Sequence, residues 1–437
     1  NNFKYKDITA FQAPIRTEEH AAVWQKGITQ DVQYKASLRT QVALRGMYSY
    51  NDREIQAAMG SNHGNAKQQD ENLRLLAELN HLSGFGETTV KAAFFKDVLD
   101  YTANMVDSDS EVHTWQLQVA HEKQLTSKLD LKTGINAQYF IADVSGYGSR
   151  KTENRASAFV LLRYNPLPRL HLNLNWRQAR IEDYGAAPAP SLGAEYLLWQ
   201  KKQAQVTVKG NASRSYRVPS LNERFWPTGD PHLKPESGFG YEAGVRFTNE
   251  KGAFTTTAEA TVYQMQVQNW VQWQPVNDGW SPVNLQQVKS SGLEAAASVA
   301  YKQQQTHFKL SSAYYYTRST QTEEAAGYAK QNQLIFVPLH SATTTAFISK
   351  NGWFANSQFT YTSSRYTNPS NTSLVEGYAL LNAVAGKTVT YKTFQLELSA
   401  KVNNITNQVY QNMDYRAMPL RHYSLCLRIT YNHQYKN

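Results

Sequence analysis

The sequence predicts an all-β chain, a transmembrane antiparallel up-and-down β-barrel. Three observations carry the prediction: about nineteen segments whose apolar and polar residues alternate with a period of two, short and long connections in strict alternation, and a composition rich in aromatics and uncharged polar residues. Of 437 residues, 27 are Tyr, 17 Phe and 9 Trp, whereas charged residues make up only 18%. A chain of this length holds either a few ordinary domains or one large barrel. The low charge and the mean hydropathy of −0.58 suit strands with one apolar and one polar face.

No run of about 18 apolar residues is present, so the sequence offers no transmembrane helix. A barrel does not need one. Strands of about 9–11 alternating residues suffice, because closure pairs every backbone group.

From Glu19 onward the short connections fall near 35–36, 83–86, 125–128, 165–169, 199–203, 249–252, 302–305, 350–352 and 390–393. Between them lie long ones, at 51–71, 100–110, 140–156, 178–190, 216–238, 268–287, 318–340, 362–378 and 403–421. Brief periplasmic turns and long extracellular loops give this asymmetry. A sandwich would alternate less regularly, and a propeller would show a shared repeat near 40–50 residues.

Faces follow from the period of two. In the last segment Tyr423, Leu425, Leu427, Ile429 and Tyr431 share a face suited to lipid, and Ser424, Cys426, Arg428 and Thr430 one suited to a polar lumen. Leu170, Leu172, Leu174 and Trp176 stand against His171, Asn173, Asn175 and Arg177 in the same way. So do Leu131, Ile135 and Tyr139 against Lys132, Asn136 and Gln138.

Other function classes are disfavoured. Cys426 is the one cysteine, which rules out an internal disulfide and a cysteine-cluster metal site. The net charge of +10 comes from scattered Lys and Arg without a basic helix, so no nucleic-acid partner is expected. There is no Gly-x-Ser-x-Gly, phosphate-binding loop, His-Glu-x-x-His or dinucleotide fingerprint, so an enzyme is not expected either. Asn1 starts no signal peptide, and the chain reads as a mature or truncated product.

The stretch Ser213-Arg-Ser-Tyr-Arg-Val-Pro-Ser-Leu-Asn-Glu-Arg-Phe-Trp226, followed by Gly229-Asp-Pro-His-Leu-Lys-Pro-Glu236 and Tyr241-Glu-Ala-Gly244, resembles a segment of TonB-dependent outer-membrane receptors. Four further stretches are similar to the same family in the same order. They are Tyr48 to Ile55, Trp270 to Glu294, Leu334 to His340, and Val402-Asn-Asn-Ile-Thr-Asn407 with Tyr415 to Arg421. The resemblance covers most of the chain from about residue 45, and looks closest to compact cobalamin-receptor-like or siderophore-receptor-like members of Bacteroidetes type.

The resemblance implies a barrel of the 22-stranded, plugged kind, with residues 1–437 forming one barrel domain that contains about 19–20 of those strands. Counted backwards from the end, Glu19 to Tyr34 becomes strand 4, and Asn1 to Lys6 the outer end of an ascending strand. The plug and the first two to three strands have no counterpart here. The last six residues, Asn432 to Asn437, depart from the aromatic ending usual in the family.

By the same resemblance the expected function is TonB-dependent import of a scarce metal chelate, cobalamin-like, siderophore or haem, across the bacterial outer membrane. A passive porin or secretion channel without a plug is the alternative. The implied partners are the TonB complex acting through the plug, the chelate, the lipid and lipopolysaccharide of the membrane, and a surface lipoprotein.

Trp270, Trp273 and Trp280 with Tyr263 make the leading candidate binding surface, because flat rings offer wide apolar contact to a macrocycle. An aromatic girdle at the membrane edge is the competing account. Arg217, Asn222 and His232 are further ligand candidates, although the Pro- and Asn-rich turn chemistry around Arg217, Pro219, Asn222 and Glu223 favours a loop-folding network. No cofactor is expected beyond a Ca²⁺ ion in an outer loop. Asp107, Asp109 and Glu111, with Asp100 nearby, supply oxygen ligands at alternate positions for it, and a solvated acidic loop is the competing reading.

Overall fold

A computed structural model describes residues 3–61, 66–103, 106–276, 279–322 and 329–431. β1 (Phe3–Lys6) and β2 (Ile15–Glu18) pair with each other in a short ribbon. β3 (Val23–Ser37) then turns into β4 (Thr40–Ile55), β5 (Ala66–Ser83) into β6 (Gly86–Ala103), β7 (Val106–Thr126) into β8 (Leu129–Val144), and β9 (Lys151–Leu167) into β10 (Leu170–Ile181). β11 (Tyr184–Lys201) turns into β12 (Ala204–Arg217), β13 (Glu236–Lys251) into β14 (Phe254–Val276), β15 (Gly279–Gln303) into β16 (Thr306–Gln321), and β17 (His340–Lys350) into β18 (Trp353–Thr362). A small ribbon of β19 (Arg365–Tyr366) and β20 (Leu374–Val375) follows. Then β21 (Tyr378–Tyr391) turns into β22 (Phe394–Asn403), and β23 (His422–Tyr431) ends the described chain.

Nineteen of these strands form one sheet rolled into a ring, in the order β3 to β18, β21, β22, β23. Each neighbour in sequence is a neighbour in space, and eighteen joints are antiparallel ladders. The nineteenth, where β23 meets β3, is different. An odd number of alternating strands leaves its first and last members pointing the same way, so this joint cannot be antiparallel. No antiparallel register joins the two strands among the described residues, and both are exposed at almost every position.

Nine two-residue turns close one end of the ring. Their backbones need the left-handed region that primed hairpin turns require, and Lys202, Gln304, Asn351 and Lys392 all adopt it. Gly352, with φ of 82°, is further constrained: a Cβ there would sit 2.4 Å from the Thr388 carbonyl oxygen.

The two faces of the wall divide as the alternation predicts. On β23 the outward row runs Tyr423, Leu425, Leu427, Ile429, Tyr431, all exposed. Eight residues at about 3.3 Å each, tilted by roughly 40°, put the two tyrosines about 20 Å apart along the barrel axis, close to the height of a bilayer's apolar band. Outward aromatics cluster at both levels. Phe254 with Tyr301 and Phe394 with Tyr431 lie near the turns, at 4.8 and 5.0 Å between centroids. Trp24 with Tyr50 and Tyr316 with His340 lie near the other end, at 5.7 and 5.3 Å. The inward face is polar throughout its height. Arg45 bridges Asp31 and Glu78 at 2.9 and 2.7 Å, Glu122 joins Lys132 and Arg163 at 3.1 Å each, and Glu259 joins Lys209 and Arg246.

Three segments whose residue types mark them as loops, 100–110, 178–190 and 268–287, are instead largely strand. The reasons are local. Pro188 and Pro190 need no second hydrogen-bonding neighbour, because β11 pairs only with β10 above Ser191. Asp107 to Ser110 pair in register with Thr102 to Leu99 of β6, and that ladder extends the strand through turn-like residues. β14 and β15, of 23 and 25 residues, far exceed the 9–11 or so that a tilted strand needs to cross, so their upper halves rise clear of the bilayer as a tall hairpin.

The face assignment predicts opposite outcomes for adjacent substitutions. Leu427→Arg, in the middle of the outward band, should cost about 2–4 kcal/mol in reversible folding into lipid vesicles, while Cys426→Arg, inward on the same strand, should change stability little.

Candidate functional site

The long-loop end is a crown in which the described segments from 218 to 421 are fastened to one another. The segment 218–235 between β12 and β13 is its most built member. It contains α1 (Leu221–Phe225), started by a reciprocal capping box between Ser220 and Glu223. Arg217, at the top of β12, holds Glu223 at 2.9 Å and Glu236 at 2.7 Å. The hydrogen bonds to Glu236 and then Glu223 push its already high pKa further up, so it stays a fixed cation. Arg224 reaches inward to the wall, where it pairs with Glu153 of β9, both fully enclosed, and its guanidinium stacks near Tyr184 and Phe225. Glu153 shares the inward face of β9 with Arg155, so α1 folds into the mouth.

The same segment leans on the tall β14–β15 hairpin. Thr228 donates to the Trp280 carbonyl at 2.5 Å and its own carbonyl accepts from Ser281 at 2.8 Å, while Asn284 exchanges two hydrogen bonds with the Lys234 backbone. The hairpin's next neighbour is the segment 329–339. There Leu285, Val288, Leu334 and Ile335 form an apolar core, with Trp270, Val283, Phe336 and Val337 packed against it. Asn371 clamps the Gln333 backbone at 2.9 Å from both sides, and Arg365 donates to the Gln411 carbonyl at 2.9 Å. The 404–421 segment carries these links on to the start of the chain. Arg416 donates to the Gln56 carbonyl and Gln56 to the Ala417 carbonyl, each at 2.7 Å, and the Leu420 amide bonds the Lys4 carbonyl at 2.9 Å. These last bonds pass above the joint between β23 and β3.

The four aromatics expected to form one surface do not. Tyr263 lies lower, inside the barrel wall, its ring over Gly292 and its hydroxyl 3.0 Å from that of Thr317. Trp270 is part of the apolar core under 334–337. Trp273 is three residues on, hence on the opposite face of the strand, opposite Pro282. Trp280 shares that second face and is exposed at the hairpin tip, beside Thr228. Arg217 is committed to the loop network, whereas Asn222 and His232 are exposed on the same lobe. His232 is oriented by its amide, which donates to Asp230 at 2.8 Å.

Asp107, Asp109 and Glu111 lie on β7, not in a loop, at alternate positions of one face. The outer two of the three stand about 13 Å apart along the strand, too far for all three to meet on one ion. Glu111 is held by His113 at 2.8 Å and Lys96 at 3.4 Å, and among the described residues no group of three Asp, Glu, His or Cys could hold a metal. The Asp100–Asp109 and Glu111–Asp143 pairs share the face of Phe94 and Trp115, outside the barrel.

A concavity of about 1070 Å³ lies on that outer face too, where Gly46, Ala77, Ala92 and Ala137 form a trough beside Phe94 and Trp115. It faces lipid, away from the mouth. The buried Glu153–Arg224 pair and Arg365 are the features that residue types alone do not reveal, since their partners come together only through the fold.

Residues 4–405 match the family model of the TonB dependent receptor-like β-barrel. The chain belongs to this family. It is an outer-membrane receptor barrel, and the long-loop mouth is therefore its extracellular end. It is 21% identical over 386 residues to the vitamin B12 transporter BtuB of Photobacterium profundum, covering 84% of this chain and 58% of that protein. The chain thus spans little more than half of that relative's length. Among solved structures it is similar to the siderophore receptor PirA from Pseudomonas aeruginosa, with TM-score 0.70 and 14% identity over 93% of this chain and 70% of that one. It is also similar to the copper transporter OprC, with TM-score 0.73 and 14% identity over 98% and 74%.

Two outcomes test the crown of this receptor. Glu153→Ala leaves Arg224 enclosed without its partner and should cost about 3–5 kcal/mol locally, read as lost hydrogen-exchange protection across 218–235 with the barrel strands unchanged. The second concerns acid. Asp7 is buried and accepts from the Thr9 hydroxyl and amide at 2.6 and 3.0 Å, with Arg16 at 3.0 Å. The Thr9 hydrogen bond first, then its backbone counterpart and Arg16, hold its carboxyl below the usual range against the opposing effect of burial. A depressed folded pKa contributes stability above the unfolded value of about 3.9 and loses it as pH falls through the folded one. Protection of residues 7–16, corrected for intrinsic exchange, should hold from neutral pH to about 5 and fall below about 4, and Asp7→Asn should abolish that dependence.

Proposed function

We propose that the complete protein imports a scarce metal chelate across the outer membrane by the TonB-dependent route, with a corrinoid the first candidate and siderophores and haem next. The observation that carries this reading is the family match over residues 4–405, joined to the likeness to a vitamin B12 transporter over 84% of the chain. The solved neighbours, receptors for siderophores and a copper transporter, support the wider class of cargo.

In this reading the crown captures the chelate and the polar inner wall conducts it. Trp280, Asn222 and His232 are exposed on the lobe made by 218–235 and the hairpin tip, and offer an aromatic plate, an amide and an imidazole. The neighbouring clamps hold that lobe rigid, so little entropy is lost when ligand binds. The charged pairs along the lumen present the surface a plug would pack against. Three further strands at the joint of β23 and β3, the difference between nineteen and the 22 of plugged transporters, would restore antiparallel pairing on both sides.

Equilibrium titration of the full-length receptor with cyanocobalamin, haem and ferric siderophores tests the proposal. Saturable binding of one of them is expected, with Trp280→Ala and Asn222→Ala weakening it by about tenfold or more. Binding of none refutes the cargo class, and binding untouched by both substitutions moves the site off this lobe.

A further inference from the structure

The periplasmic end of the barrel carries most of the chain's net charge. Each two-residue turn, taken with three residues on either side, marks this end. Those nine stretches hold ten Lys or Arg against three Asp or Glu, whereas the whole chain has 45 against 35. Seven of the chain's ten net positive charges therefore lie here. Residues 432–437, which follow β23 in the sequence and lie outside the described residues, contain no Asp or Glu.

All ten cations are exposed, and none makes an ion pair among the described residues. Higher in the wall the pattern reverses, with Arg45, Lys132, Arg163 and Lys209 each bound to a carboxylate. Three hairpins set the height of this collar. Tyr34, Trp199 and Tyr164 point outward and are exposed, as girdle rings at the headgroup level are. Arg39, Lys202 and Arg169 follow them by three to five residues, at the tips of the turns. At about 3.3 Å per residue and a tilt of roughly 40°, these tips lie about 8–13 Å beyond the rings, past a headgroup layer of about 5–8 Å. Their charges thus face the aqueous periplasm. Adjacent hairpins stand about 10 Å apart, so Arg169 of the β9–β10 turn and Lys201 and Lys202 of the β11–β12 turn form one patch, and the other cations continue around the ring. Glu250, whose amide bonds the Gln203 carbonyl at 3.2 Å, borders this patch, and Lys251 beside it offsets its charge.

We propose that this collar docks the receptor on the cell wall beneath the outer membrane, with Arg169, Lys201 and Lys202 binding the free carboxylates of its cross-linked peptides. Charge and layout select the occupant. Cations carried singly on turn tips around a ring suit an extended polyanion that repeats its carboxylates across the same span and engages several turns at once. Arg presents the planar fork that a carboxylate matches, and Lys a point charge. The height of the tips favours this polymer over lipid phosphate, which lies nearer the level of the rings.

The test is co-sedimentation of the purified full-length receptor, in detergent, with purified cell-wall sacculi. The unaltered protein should pellet with them at low salt and be released as salt screens the collar. Arg169→Gln with Lys201→Gln and Lys202→Gln should weaken the association by about tenfold or more, while Arg150→Gln, an exposed cation at the extracellular end, should not. Sacculi whose carboxylates have been amidated should fail to bind the unaltered protein, an arm that stands even if the triple variant does not fold. Failure to pellet, or pelleting indifferent to the substitutions or to amidation, would overturn the proposal. So would complete release by phosphatidylglycerol vesicles at a charge concentration matching the sacculi, which would make the collar a site for anionic lipid.

Discussion

Everything in this barrel depends on one constraint: a backbone amide in hydrocarbon has no water to bond, so each must find its partner on a neighbouring strand. The constraint accounts for the even two-residue turns, the antiparallel ladders and the next-neighbour order of the ring. It also singles out the joint of β23 and β3. Nineteen strands cannot satisfy the rule by antiparallel pairing alone, and the two strands that meet there are the most exposed in the wall. The bonds from the 404–421 segment to Gln56 and Lys4 tie the two sides together above the membrane, a link that loops can supply because they lie in water.

Above the bilayer the constraint relaxes and packing takes over. The crown commits its most conspicuous side chains to its own assembly. Arg217 and Arg224 fix α1, Trp270 fills the core beneath 334–337, and Asn371 ties one loop to the next. A residue type suited to ligand contact is equally suited to holding a loop, since both tasks need aromatic area or planar donors. What separates them is exposure after the crown has formed, which leaves Trp280, Asn222 and His232 rather than the full set of candidates.

The wall was legible in the sequence because its information is local and periodic. Rows such as Tyr423 to Tyr431 declare their face every second residue, and two-residue turns punctuate them. The tall hairpins were not legible. Pro188, Pro190 and the Asp–Ser run at 107–110 carry turn chemistry, and only the unpaired edge of β11 and the full ladder to β6 make them strand. The site suffered for the same reason. Trp270 and Trp273 look like one surface in a loop, but a strand sends them to opposite faces, and Glu153 gives no sign that Arg224, 71 residues away, will cover it.

A strand in such a wall therefore carries two independent messages, one on its odd residues and one on its even. On β12–β16 they are sharply separated: carboxylates inward, where Glu259 balances Lys209 and Arg246, and cations outward near the extracellular belt. Glu259 and its two cations neutralise one another within the wall. Because a one-residue slip would exchange the two faces, this partition also argues for the register itself: no pairing shifted by one residue keeps both these carboxylates off the lipid and the aliphatic rows on it.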